Sequence, residues 1–577
     1  MTGPLRRAPA NAHWYAAGLH TSQTLVDALQ DGAARHPQSL MIFDSETHPA
    51  SARLIDIHRR GARLAGAFAR LGLRRGDVIA CQVPNWLEGA IVYHAAISLG
   101  LVLVPVVHIY GPVEVGYILR QSGARALVMP DRWRSIDYLD RFAAVGDCPA
   151  LEHVITIGER TAPGGVTLAA LEALDADPPA PQDPHADDVC MVIYTSGTTS
   201  APKGVQHTHN TLLAEMRALA RADAGTPDAV HLSPFPAGHM GGVLLLGRAF
   251  LSGRTSILVD SWNTARVAQV IREREVSWLG ATPFFLSSLL ADVRDTGTPM
   301  PSLDEIHLGG AGVPPELVLA AEAAGWRAFR SYGSTEHPTV TVSTVADPVE
   351  VRAYTDGVAF GANLIRIVDD DGRDLPPGTP GEIVTLGPEL FVGYTDPALN
   401  AEAFLDGGWF RTGDIGTLDE AGHLTIVDRK KDIIIRGGEN ISSTEVEGVL
   451  LRHPAIVEAA VTAMPDPLYG ERVCAFVLLE PGRELTLGDL IEHFVAIGVA
   501  KHKTPERLEI VTELPRTAAG KVRKADLRAR LRAPAPAPAP APGVPGSPGV
   551  PDGSGAPGAP DVVDAHRDGQ GSQRAGI

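Results

Sequence analysis

"YTSGTTSAPKGV", residues 194–205, gathers Ser and Thr hydroxyls, two glycines and one lysine into a dozen positions. Such a density of small donors beside one cation suits phosphate oxygens, which accept from several sides at once. The spacing is not that of a Walker A loop, which needs Gly-Lys-Ser/Thr after four intervening residues. Here Thr198, Thr199, Ser200, Ala201 and Pro202 separate Gly197 from Lys203, and no glycine stands directly before the lysine. The apolar run "DDVCMVIY" precedes the stretch and "HTHNTLLAEMRALA" follows it. A strand-loop-helix is expected, with loop N–H groups and hydroxyls turned toward a phosphate.

Outward from this loop the pattern is α/β. "DVIACQVP" (77–84) reads as a strand, "NWLEGAIVYHAAISLG" as a helix capped by Asn85, and "LVLVPVV" as a buried strand. The same alternation returns at "RTSILVD" (254–260), "NTARVAQVIREREV", "SWLGATP", "FFLSSLLADV", "EIHLGG" and "PPELVLAAEAAG". Strands and helices in this order imply parallel βαβ units, layered with helices on both sheet faces. From about 351 to 428 the texture changes to short strands with Gly, Pro and Asp turns, which implies a small antiparallel, β-barrel-like subdomain. After "VDRKKDIIIRGGENI" a compact α+β stretch follows, with Ser442 and Glu445 as a candidate capping box. The expected domains are a large one over 1–428, a small mobile one over 429–531, and a disordered Ala/Pro/Gly-rich tail over 532–577.

At 577 residues the chain is long enough for several domains, and 44% apolar with 20% charged residues is ordinary globular composition. A net charge of −18 disfavours nucleic acid and anionic membranes as partners, so any phosphate must be met by local donors. Cys81, Cys148, Cys190 and Cys474 are far apart and form no CxxC pair, which suits a reducing, cytoplasmic setting and no structural zinc. The first eighteen residues carry arginines with no apolar stretch behind them, so no signal peptide is expected. "IVYHAAISLGLVLVPVV" (91–107) is broken by His94, Gly100 and Pro105, which favours a buried helix and strand over a membrane span.

Thr195-Ser196-Gly197-Thr198-Thr199 followed by Pro202-Lys203-Gly204 resembles the signature loop of the adenylate-forming superfamily, which includes acyl-CoA synthetases, luciferases and peptide-synthetase adenylation domains. The other motifs follow in family order: "YGSTE" (332–336), "GEIVTLGPELFVGY" (381–394), "RTGD" (411–414), "DRKKDIIIRGGENI" (428–441) and "PRTAAGK" (515–521). The resemblance spans about residues 20 to 531 and implies an AMP-forming acid–thiol ligase that uses ATP, Mg²⁺ and coenzyme A. By that resemblance, Thr195 to Thr199 and Lys203 hold the β- and γ-phosphates. Tyr332, with Gly333 and Ser334, lies against adenine, Thr335 nears the α-phosphate, and Glu336 is the Mg²⁺ ligand. Gly310, Ala311 and Gly312 of the "GGAG" loop let a flat base or acyl group approach the backbone.

Asp414 suits the ribose hydroxyls as a double acceptor, and Arg429 suits ribose and phosphate as a donor; a structural ion pair is the other reading. Lys521 is expected to reach across from the small domain to the carboxylate and α-phosphate. Arg516, Arg523 and Lys524 are read as surface charge. Lys431 matches the family's hinge, and rotation there would carry Gly437 and Gly438 to the site for pantetheine. His239 matches a position near the substrate carboxylate, with a packed core histidine as the alternative. His207 and His209 lack a third ligand for a metal and are read as a helix start.

Pro236 stands where amino-acid-activating relatives place an aspartate, so a simple α-amino acid is not expected. The pocket candidates His239, Met240, Gly241, Gly242, Phe284, Phe285 and Val313 are apolar or small, which suits fatty, alicyclic or aryl acids. Three functions follow from these readings. They are an acyl-CoA synthetase, an enzyme loading the phosphopantetheine of an acyl or peptidyl carrier protein, and a catalytically silent nucleotide-binding module.

Overall fold

The computed structural model describes residues 11–174, 176–179, 184–195, 202–222, 228–517 and 520–532. Ser196, Gly197, Thr198 and Thr199 therefore lie outside the described residues.

Two large sheets dominate the N-terminal part. The first has seven strands in the order Lys203–Thr208, Val189–Thr195, Val102–Pro105, Val78–Cys81, Ala126–Pro130, His153–Ile157 and Val166–Thr167. Val78–Cys81, Val102–Pro105 and Ala126–Pro130 are buried along their whole length, which is why they read as continuous apolar runs. The run at 91–107 divides into the end of helix Leu87–Ser98 and strand Val102–Pro105. No helix among the described residues is long and apolar enough to cross a membrane.

The second sheet has nine strands. At its centre Arg327–Tyr332, Glu305–Leu308, Trp278–Ala281, His231–Ser233 and Ser256–Val259 are parallel neighbours. Its register sets Gly280 beside His307 and His307 beside Phe329. Lateral neighbours share a face, and so do residues two apart along a strand. One face carries Leu279, Ala281, Ile306, Leu308 and Ala328, which are buried against Val267, Ile271, Phe285, Leu286, Leu289 and Val318 of the covering helices. The opposite face carries Trp278, Gly280, His307 and Phe329.

Three local expectations are corrected. The opening stretch is not followed directly by a helix: Lys203–Thr208 is a strand paired antiparallel to Val189–Thr195, with Thr195 opposite Lys203, and the helix starts only at His209. Val205 supplies the reason, because it is fully buried against Leu390, Phe391 and Tyr394, and that packing draws the segment into the sheet. Asn85 is not a helix cap; Trp86 takes that position without a side-chain bond. The Asn85 amide donates to Phe235 O (3.0 Å) and Val259 O (2.9 Å) and accepts from Ala237 N–H (2.8 Å), a tie between loop and strand. The antiparallel subdomain is a four-stranded sheet, ordered Leu364–Val368, Gly381–Leu386, Phe410–Leu418 and Leu424–Arg429. Its strand pairing runs in line and does not close into a barrel among the described residues.

The small C-terminal part has five strands: Glu439–Ile441, Ile434–Arg436, Gly470–Leu479 and Ile456–Asp466 in line, with Arg507–Ile510 parallel to Gly470–Leu479. Helices Ser443–Leu450 and Leu487–Ile497 bury Val446, Leu450, Leu490 and Phe494 against it. Ser442 caps the first helix, accepting from Glu445 N–H at 3.1 Å. The Glu445 carboxylate does not complete the capping box but accepts from Lys503 at 2.6 Å, because the stronger charged donor is within reach.

Candidate active site

The site lies at the carboxyl ends of the parallel strands, where an open α/β sheet leaves backbone ends and loops to meet a ligand. The "YGSTE" loop folds back on itself: Ser334 N–H donates to His337 O (2.8 Å), and His337 N–H donates to Ser334 Oγ (3.1 Å). A Cβ on Gly333 would stand 1.7 Å from Pro338 O, so only glycine allows this turn. His207, at the end of the hairpin strand, lies with Nε2 2.8 Å from Thr335 O, and burial lowers its pKa to about 4. His207 is thus a brace for the loop, and His209 opens the following helix as expected.

Tyr332 is buried and donates its phenol O–H to Asp414 Oδ2 at 2.7 Å. Asp414 Oδ1 lies 3.1 Å from Arg429 Nε. The carboxylate is therefore held between a neutral donor and a cation, and Arg429 keeps two-fifths of its side chain exposed. Asp414 and Arg429 thus form the ion pair that was one of the two readings of this pair. Glu336 is half-buried, and its Oε1 accepts from Tyr394 O–H at 2.8 Å. Lys203 Nζ stands 5.0 Å over the Tyr394 ring. One aromatic ring thus joins the lysine of the phosphate loop to the proposed metal carboxylate. Tyr394 closes the "GEIVTLGPELFVGY" motif, and its place there was the only signal in the sequence.

Lys521 sits in a tight turn of the small C-terminal part, where Thr517 N–H donates to Lys521 O (2.8 Å) and Lys521 N–H to Thr517 Oγ1 (3.2 Å). The turn docks on the large part: a Cβ on Gly520 would lie 3.2 Å from Thr282 Oγ1 and 3.5 Å from Phe284. Thr282 Oγ1 is buried with no hydrogen-bond partner, an open polar position at this junction. The charge of Arg429, with burial second, lowers the Lys521 pKa to about 7, while Asp414 pulls the other way. Lys521, Arg429 and Asp414 are therefore within electrostatic reach of one another although they are far apart in sequence.

Arg516 and Lys524 are not surface charge. Arg516 pairs with Glu458 and lies 5.1 Å over Phe284, so it fastens the docked turn. Lys524 is mostly buried and holds Glu447 and Ser443, each at 2.7 Å. Arg523 is exposed and pairs locally with Asp526, as expected. Of the "GGAG" loop, Gly310 has φ +77° beside Thr282, and Gly312 faces Thr444 of the C-terminal helix. Gly437 and Gly438 stand apart, exposed at the tip of the 434–441 hairpin with φ of +60° and +93°. His239 is at the N-cap of helix Met240–Ser252; its Nε2 is buried without a partner, and burial lowers its pKa to about 4.

The AMP-binding enzyme profile matches residues 29–395, and the AMP-binding enzyme C-terminal domain profile matches 445–521. The chain belongs to the AMP-binding enzyme family. This AMP-binding enzyme is 35% identical over 518 residues to a medium-chain fatty-acid–CoA ligase of Escherichia coli K12, covering 89% of this chain and 91% of that one. It is 33% identical over 538 residues to a 2-hydroxy-7-methoxy-5-methyl-1-naphthoate–CoA ligase of Streptomyces carzinostaticus, covering 90% and 95%. Among solved structures it is similar to ATP-bound MatB from Rhodopseudomonas palustris, with a TM-score of 0.80 and 26% identity over 88% of this chain and 99% of that one.

The donor set fits a nucleotide with its Mg²⁺. Among the described residues no three His, Cys, Asp or Glu side chains cluster to hold a metal by themselves. Glu336 is a single half-buried carboxylate, and a Mg²⁺ bound largely through substrate oxygens and water needs few protein ligands.

Proposed function

We propose that this enzyme activates a carboxylic acid with ATP and transfers the acyl group to coenzyme A, releasing AMP and pyrophosphate. The supporting observation is the docking of the Lys521 turn on Thr282 and Phe284, which brings a lysine from the small part into the charge field of Asp414 and Arg429. In the first half-reaction a carboxylate oxygen attacks the α-phosphorus, and the bond to the β-phosphate bridge breaks. Lys521 and Arg429 stabilise the charge that builds on the α-phosphate oxygens. Asp414, oriented by Tyr332, accepts from ribose hydroxyls. Thr195 to Thr199 and Lys203 hold the leaving pyrophosphate, and Glu336 would hold Mg²⁺, which neutralises phosphate charge when bound.

In the second half-reaction the CoA sulfur attacks the acyl carbon and AMP leaves, so one hard step becomes two easier ones. Residues 1–428 form the catalytic body and 429–531 the lid. Rotation about Lys431 withdraws Lys521 and presents Gly437 and Gly438, whose missing side chains leave room for pantetheine. Chemically, a carrier protein's pantetheine arm would react in the same way as CoA. A cytoplasmic location is part of this reading, supported by four free cysteines, three of them buried.

The test is a panel of acids with ATP, Mg²⁺ and CoA, following pyrophosphate and thioester together. Both products in equal amount are expected. Pyrophosphate without acyl-CoA would assign the acceptor role to a carrier protein, and ADP in place of AMP would overturn the reading.

A further inference from the structure

The face of the nine-stranded sheet that carries Trp278, Gly280 and His307 continues, two residues further along each strand, to Thr282, Gly309 and Ser331 at the nucleotide end. Residues in the middle of so wide a sheet are normally sealed on both faces. Here His307, Gly309 and Ser331 keep accessible surface, which marks a slot running down from the buried, unpartnered Thr282 Oγ1.

The slot is short. A Cβ on Gly280 would lie 3.1 Å from the tip of the Trp278 indole and 3.6 Å from the Phe235 ring. Phe235 is pressed from the other side by helix Met240–Ser252, where a Cβ on Gly241 would lie 3.3 Å from its ring. The indole therefore leans up its strand to the level of Gly280. It is held there by Arg248, 4.8 Å over the ring, and by the His231 ring at 4.6 Å. From Thr282 to Gly280 is two residues, about 7 Å at the rise of a strand. That depth accommodates one six-membered ring and falls short of an extended decanoyl chain.

His307 stacks on Phe329 at 5.1 Å and meets Trp278 edge-on at 5.8 Å. Burial and the charge of Arg248 lower its pKa to about 3, so the imidazole is neutral, with one N–H donor and one acceptor nitrogen.

Taking acyl-adenylate formation as the reaction, an inference that rests on the reading above, we propose that Trp278 is the floor of the acid slot. It restricts the enzyme to compact alicyclic or aryl acids one ring deep, and His307 is the hydrogen-bonding residue for a ring substituent. Trp278 and His307 act on specificity, and the reacting carboxylate remains at the Thr282 end.

The experiment compares kcat/KM for ATP-dependent pyrophosphate release with cyclohexanecarboxylate, benzoate, hydroxybenzoates, hexanoate and decanoate, using the full chain. Wild type is expected to favour ring acids over decanoate by at least tenfold. Trp278→Ala should raise the decanoate-to-cyclohexanecarboxylate ratio about tenfold or more. Trp278→Phe, which keeps a ring in the core, should raise it by a smaller factor. His307→Leu should remove the preference for hydroxybenzoate over benzoate while leaving cyclohexanecarboxylate within about threefold. Wild-type preference for decanoate, or an unchanged ratio in both Trp278 variants at normal turnover, overturns the floor. An unchanged substituent preference in His307→Leu overturns that residue's role. If no acid yields pyrophosphate, the adenylate-forming reading falls, and this inference with it.

Discussion

Lys521 concentrates the chemistry proposed here, and its environment makes two predictions at the scale of one side chain. Lys521→Ala should lower adenylation by at least about 10²-fold, the scale of losing a placed donor to a developing oxyanion. It should spare thioester formation from a preformed acyl-adenylate, measured as acyl-CoA in single turnover. Equal loss of both half-reactions would count against the lid reading. The second prediction concerns pH. With a free-enzyme pKa lowered to about 7, mainly by Arg429, Lys521 holds its proton below that value and loses it above. Adenylation kcat/KM should therefore fall as pH rises through about 7, and Arg429→Gln, by removing the repelling charge, should move the fall to higher pH. Lys521, Glu336 and Asp414 were singled out by the resemblance of their motifs to the family, and the roles proposed for them are what these variants test. Tyr394, marked only by its place at the end of a motif, and Thr282, marked by nothing local, have roles that lie in contacts made by packing.

Turns and short ties set how well those residues are held, and two of them can be broken one at a time. Gly333→Ala would place a methyl 1.7 Å from Pro338 O, which the turn cannot accommodate without moving Tyr332 and Thr335. A destabilisation of about 2 kcal/mol or more, read by denaturant unfolding, is expected together with weaker ATP binding. Lys524→Ala would leave Glu447 without its cation and Ser443 without its donor. Breaking a largely buried pair from one side costs about 3 kcal/mol, visible as a lowered Tm. The βαβ alternation was readable because period and burial are local properties. The Lys203–Thr208 strand was misread, since only burial of Val205 against a motif nearly two hundred residues away draws it into the sheet. Asn85 failed as a cap for the same kind of reason: its amide finds three backbone partners that the sequence does not display.

At the scale of the whole molecule the proposal requires two arrangements of one lid. On the proposed reading, the arrangement with the Lys521 turn against Thr282 and Gly312 facing Thr444 is the one that serves adenylation. Lys430 is tied to Asp370 at 2.8 Å and Asp432 to Arg528 at 2.6 Å, so the intervening Lys431 is flanked by anchored neighbours on the two parts. Lys431→Pro, by restricting the backbone there, should leave pyrophosphate release within a few-fold and lower acyl-CoA formation tenfold or more. Equal rates for both half-reactions in that variant would sink the rotation.

What the sequence determined by itself was the family and the layered α/β order, since these rest on periodicity and on motifs with internal spacing. The tertiary structure decided that the lysine of one part lies within the charge field of the arginine of the other. It also decided which ring links Lys203 to Glu336, and that the Trp278 indole leans to the level of Gly280. These depend on strand register and on side chains brought together from separate segments, and pairings of that kind are set by packing the whole core, which no local pattern records.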